Sequence, residues 1–233
     1  MIVALFATMG SLHAQEKYAI IIGGNMNPGS SIPAVEQWNG GIGAHPIYGF
    51  DEFWNDAYLA WEMLVFDKDY ADENVHVLFD DGDDYTFDNQ DNRYKGIKHG
   101  IQYEVITDAN TNKATIDDKF EELALTITVD DFLFVWIMSH GGSDANGYYF
   151  YSYDNQKIYA SQLNTWLDGI AAHKKVVYLA FPKSGGFVQE LEADGNIVIV
   201  ACGPTEGASR ADDLAHEIFL NIEPLNIEYR ILK

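Results

Sequence analysis

Five apolar runs, each stopped by a short glycine-bearing or polar turn, constrain this chain more than any other feature. They are "EKYAIIIGG" (16–24), "NVHVLFDDG" (74–82), "DFLFVWIMSHGG" (131–142), "KKVVYLAF" (174–181) and "GNIVIVACG" (195–203). The runs are largely continuous rather than alternating, which predicts strands buried on both faces, as in a parallel sheet. Segments of helical period stand between them. Phe53, Ala57, Trp61 and Leu64 share one face over 51–66. Ile116, Phe120 and Leu123 do so over 114–124, with Thr115 as the expected N-cap, and Leu163, Trp166, Leu167 and Ile170 over 159–170. A last helix is expected over 211–222, a short hairpin over 147–154, and loops over 25–50 and after Asp84. Strands alternating with helices imply an α/β fold: a three-layer sandwich around a mainly parallel sheet.

In such a sheet the reactive groups gather beyond the carboxyl ends of the strands. Those ends carry Gly23-Gly24, Asp80-Asp81, His140-Gly141-Gly142, Pro182 to Gly186, and Cys202-Gly203, so they are expected along one rim. The chain has 233 residues, enough for a single domain with a full core. Its 36 acidic and 14 basic residues leave a net charge of −22. That balance argues against nucleic acid, whose phosphates require Lys and Arg, and against anionic membrane surfaces. Acidity of this kind first serves solubility. The single cysteine, Cys202, excludes an intrachain disulfide and a multi-thiolate zinc site.

The first fifteen residues, "MIVALFATMGSLHAQ", hold an apolar run followed by small residues. They predict a signal peptide cleaved after Ala14 or Gln15, although no Lys or Arg precedes the run. The domain is then expected over 16–233 in a secreted or periplasmic protein. No apolar run is long enough for a membrane-spanning helix.

His140 ends the most apolar run and precedes two glycines. An imidazole there reaches a substrate, and the N–H of Gly141 is placed to bind an oxyanion. The stretch "VVYLAFPKSGGF" lies one helix later. Together "FVWIMSHGG" and "VVYLAFPKSGGF" resemble the clan of cysteine peptidases that includes caspases, legumains and gingipains, most closely the legumain-like family. The resemblance runs from about Lys17 to about Arg210, with the elements in the expected order. It implies a caspase- or legumain-like fold. It also implies a thiolate that attacks the peptide carbonyl, a histidine that protonates the leaving amine, and backbone N–H groups that hold the oxyanion.

Carried over by position, His140 matches the family histidine, Gly141 the oxyanion glycine, and Ser184 and Gly185 the Ser-Gly after the nucleophile. The nucleophile position falls on Pro182, and the acidic position before it on Ala180. Proline has neither a thiol nor a backbone N–H, so both the covalent step and one oxyanion donor are lost. Removing one such donor typically costs about 3–4 kcal/mol of transition-state stabilisation. The resemblance also implies that "CGPTEGASR" lines the pocket for the residue before the cut, with Glu206 and Ser209 as polar liners.

The expected function is that of a peptidase homologue without its nucleophile, binding a peptide or protein. Two further readings stand beside it: a working cysteine peptidase using Cys202 with His140, and a structural domain of a larger secreted protein. Lys183 is a nucleophile only if desolvated. No cofactor or metal is expected. "DDGDD" (80–84) reads as a polar loop. "DANTNKATIDDK" (108–119) begins like a calcium loop but has Lys113 and Lys119 where the glycine and the final acid belong, so it is expected to be a solvated loop entering a helix.

Overall fold

The computed structural model describes residues 15–24, 51–84, 104–193 and 195–207. The leader, the loop over 25–50, most of the loop after Asp84, the helix expected over 211–222, and Ser209 lie outside the described residues.

Five parallel strands form the main sheet: β1 (Lys17–Gly23), β2 (Val75–Phe79), β3 (Phe132–Met138), β7 (Lys174–Ala180) and β8 (Asn196–Val200). Their order is β2-β1-β3-β7-β8. Side chains alternate across the sheet, so each strand feeds two cores. Ala19, Ile21, Val77, Phe79, Trp136, Met138 and Tyr178 face α1 (Asp51–Glu62) and its aromatic residues Phe53, Trp54, Tyr58 and Trp61. Ile20, Ile22, Leu133, Val135, Ile137, Val177 and Leu179 face α2 (Lys113–Thr126) and α3 (Ala160–Asp168). This is the expected three-layer sandwich with a mainly parallel sheet. Trp136 and Tyr178 are direct neighbours on β3 and β7, and their rings stack 3.9 Å apart and 3° from parallel. Phe120 of α2 stacks on Trp166 of α3 at 4.9 Å, tying the two helices of the second face together.

Four local expectations change. The helix over 51–66 closes in a wider π-helical turn at Met63–Asp67. Asn112, not Thr115, caps α2. The Thr115 hydroxyl donates to Asn110 Oδ1 at 2.7 Å, and the first helical N–H, that of Lys113, donates to Asp154 from another element. The stretch before α2 is also not simply solvated. Thr111 is fully buried, its hydroxyl donating to the carbonyl oxygens of Gly23 and Asp80 at 3.2 Å each, which pins this loop over the ends of β1 and β2.

The fourth change matters for the site. The hairpin expected over 147–154 is the middle of a separate antiparallel sheet: β4 (Gly141–Asp144), β5 (Gly147–Tyr151) and β6 (Lys157–Tyr159). Its inner face places Phe150 and Ile158 in the second core. Its outer face carries Tyr149, Tyr151 and Tyr159, with Lys157 bonded to Asp144 at 2.6 Å and 4.3 Å above the Tyr149 ring. Among the described residues, no helix is long and apolar enough to cross a membrane.

Candidate functional site

The chain leaves β3 through Ser139 and His140 and turns directly into β4. Ser139 donates its hydroxyl to the Tyr151 carbonyl at 2.6 Å, and His140 accepts the Tyr151 N–H at 2.9 Å. The exit of β3 is thereby locked to the end of β5. His140 is half-buried, and its ring lies 5.7 Å from that of Phe53 on α1. Burial holds its pKa below the ordinary imidazole value, so the neutral form dominates near neutral pH. A neutral imidazole accepts a proton, as a general base must.

The bond between Tyr151 N–H and His140 also fixes the parity of the β4–β5 pair. Gly142 lies opposite Tyr149 and Gly141 opposite Phe150. In an antiparallel pair every second residue turns its N–H and C=O away from the partner strand. Gly141 and Ser143 are those residues here. The Gly141 N–H therefore points outward, as an oxyanion donor would.

The second strand end, after β7, comes up against the first. A methyl group on Gly141 would sit 2.5 Å from the Pro182 carbonyl oxygen and 2.6 Å from the Phe181 ring, so no side chain fits there. His140-Gly141 and Pro182 are thus brought together, with Gly141 pressed on the residue that the sequence resemblance aligns with a nucleophile.

The turn after Pro182 is held by backbone bonds. Lys183 takes a left-handed conformation with φ of 64°. Its N–H donates to the Glu206 carbonyl at 3.0 Å and toward Cys202 Sγ at 3.1 Å. The Ser184 N–H reaches back to the Phe181 carbonyl at 3.2 Å, and the Gly185 N–H donates to the Cys202 carbonyl at 2.9 Å. Gly185 meets backbone on every side: an added methyl would lie 2.7 Å from the Cys202 carbonyl oxygen and 2.9 Å from the nitrogen of Pro204. Gly186 lies against the Tyr148 ring. Ser184 is fully buried, and its hydroxyl lies 3.7 Å from Cys202 Sγ. Its side chain is therefore inside the turn, not on its surface.

Cys202 is half-buried beneath this turn, with Sγ also 3.4 Å from the Phe181 carbonyl and 3.5 Å from that of Glu206. The thiol packs the 181–184 turn against the loop after β8. Glu206 is exposed, and its carboxylate accepts the Gly203 N–H at 2.9 Å, closing its own turn. The Lys183 ammonium, by contrast, reaches across to Ser143 Oγ on β4 at 3.0 Å. Beside Gly186 a pocket of about 240 Å³ lies between the small sheet and the start of α3, lined by Tyr148, Tyr159, Ser161 and Gln189 among others.

Sequence reasoning missed the tyrosine-bearing small sheet, the Phe53 contact to His140, and the Lys183–Ser143 bridge. Only the tyrosine density of "GYYFYSY" signalled the first. The other two join residues 87 and 40 positions apart, which nothing local reveals. Among the described residues no group of three or more His, Cys, Asp or Glu is placed to hold a metal ion. Asp84 of the "DDGDD" stretch instead accepts the backbone N–H groups of Ile106 and Thr107.

A family model described as the peptidase C13 family matches residues 53–216. No curated protein matches the chain.

Proposed function

The chain belongs to the peptidase C13 family, and on that premise we propose that it is a member that has ceased to cut peptide bonds and binds a peptide or protein at the His140–Pro182 rim. The observation that carries the proposal is the residue packed against Gly141. Pro182 stands where the resemblance puts the nucleophile, and it supplies neither sulfur nor N–H. His140 and the outward N–H of Gly141 keep their places, so recognition elements remain beside an absent reaction centre. The setting of Cys202 favours this reading over a displaced nucleophile. Its sulfur is wedged among the N–H of Lys183, the hydroxyl of Ser184 and two carbonyls, as a packing group in the turn. The apolar leader supports export, and we place the mature domain, from about residue 16, outside the cytoplasm.

The test is direct. The purified mature chain is incubated with a denatured protein mixture, beside a thiol-alkylated sample, and new peptide termini are counted by mass spectrometry. The expected result is none. Cleavage that disappears on alkylation would make Cys202 the nucleophile and overturn the proposal. In the same assay Pro182→Cys restores both a thiol and a backbone N–H. Cleavage by that variant is expected if the cleft has been kept for binding. For the binding arm, an immobilised chain is offered a synthetic octapeptide library. Retention of a subset is expected, and no retention would leave a purely structural domain.

A further inference from the structure

Beside the proposed peptide-binding rim lies the outer edge of β4. It pairs with β5 on one side, and among the described residues no strand pairs with the other. By the parity fixed at Tyr151–His140, the backbone groups of Gly141 and Ser143 point out from that edge. Unpaired edges of this kind recruit an extended segment from another chain unless charge, proline or a covering loop blocks them. Here the strand reads Gly-Gly-Ser-Asp, and its two glycines put no side chain in the way.

Lys183 gives the edge a chemical preference. Its ammonium ends 3.0 Å from Ser143 Oγ, alongside the strand, and a neutral hydroxyl is its partner there. The described ion pairs of the chain do not include it. Lys17, Lys68, Lys174 and Lys175 also stand outside those pairs, but Lys183 is the one whose ammonium lies on Ser143 of β4. The same residue has a left-handed backbone, a conformation that non-glycine residues rarely adopt and that marks sites worth inspecting for function.

We propose that the outer edge of β4 takes up an extended peptide as an added strand, and that an acidic side chain of this peptide, opposite Ser143, pairs with Lys183. The inference rests on the peptide-binding reading and specifies its mode. Backbone bonds to Gly141 and Ser143 supply affinity for any extended segment, and Lys183 selects among them. A strand in this register places one of its carbonyl groups on the Gly141 N–H, beside His140. The added strand therefore runs into the inherited site rather than past it.

The probe is a fluorescein-labelled peptide of alternating Thr and Val with one central Glu, compared with its Gln analogue by fluorescence anisotropy. The overall charge of −22 repels the Glu probe, so preference for it must arise locally. The Glu probe is expected to bind at least tenfold more tightly than the Gln probe. Lys183→Met should remove the preference, and Lys183→Glu should reverse it toward a Lys-bearing probe. Ser143→Pro deletes an outward N–H without touching the β5 ladder and should weaken both probes at least tenfold. A thermal melt checks that this variant folds, and the Lys183 variants test the proposal independently of it. Equal binding of both probes, unchanged by either substitution, overturns this inference while leaving the peptide-binding reading in place. Self-association that Ser143→Pro abolishes would assign the edge to a second copy and also overturn it. If neither probe binds and the octapeptide library yields nothing, the peptide-binding reading falls and takes this inference with it.

Discussion

At the scale of single residues, the site is governed by how closely backbones approach. Gly185 is enclosed by the Cys202 carbonyl and the Gly203–Pro204 backbone, which cannot swing aside as a side chain would. Gly185→Ala is therefore expected to destabilise the fold by about 1–3 kcal/mol, read as a lower urea midpoint at unchanged slope. His140 offers a second test at this scale. Burial lowers its folded-state pKa, so the unfolded chain binds the proton first as pH falls. Its contribution is present above the ordinary imidazole range, near pH 6.5, and is lost as pH drops through it. His76, also lowered chiefly by burial, adds to the same slope. Urea midpoints are expected to fall between about pH 7.5 and about pH 5, and His140→Gln should flatten part of that fall. An unchanged slope would place the imidazole in water. The histidine and the Ser-Gly turn were visible in the sequence because both stand at the ends of apolar runs. The inward turn of Ser184 was not, since its partner Cys202 is a feature of packing.

Elements show the same division between what is local and what is not. All five main strands were readable as continuous apolar runs, which follow from burial on both faces in the inner strands and persist in β8 at the sheet edge, where burial is only partial. The small sheet was misread because Gly141–Asp144 has almost no side chains to alternate, so its strand character comes entirely from pairing with β5. The cap of α2 was misplaced for a related reason. Asp154, 41 residues further along, approaches the first N–H of the helix, and local sequence cannot announce it. One residue holds the entrance of the sheet in a comparable way. Buried Asp131 accepts the Glu16 N–H at 2.9 Å and both the N–H and the hydroxyl of Thr128 at 2.8 Å, joining the start of β1 to the turn before β3. Asp131→Ala is expected to cost about 2–3 kcal/mol, since hydrogen bonds to a charged group are worth about 1.5–3 kcal/mol and donors are left behind. A loss under about 0.5 kcal/mol, within the range of ordinary surface substitutions, would mean that water replaces the carboxylate freely.

For the molecule as a whole, a charge of −22 acts on stability as well as solubility. Like charges on a compact body repel, and salt screens them, with the screening length shrinking from about 30 Å at 0.01 M to about 8 Å at 0.15 M. The melting temperature is expected to rise over that interval in sodium chloride, and a fall would show that attractive pairs outweigh the repulsion. Helices on both faces leave the reactive rim as the place where the chain varies its chemistry, on a sheet whose two cores do not depend on it. The turn after β7 makes that separation concrete. It is closed by N–H groups of Lys183, Ser184, Gly185 and Gly186 bonding to carbonyls, and none of those bonds involves the side chain at position 182. The hydrogen bonds that close the turn therefore make no demand on the side chain at that position. On the proposed reading, a lineage loses the thiol at that position in one substitution and inherits the architecture, which makes such a loss an easy step for descent to take.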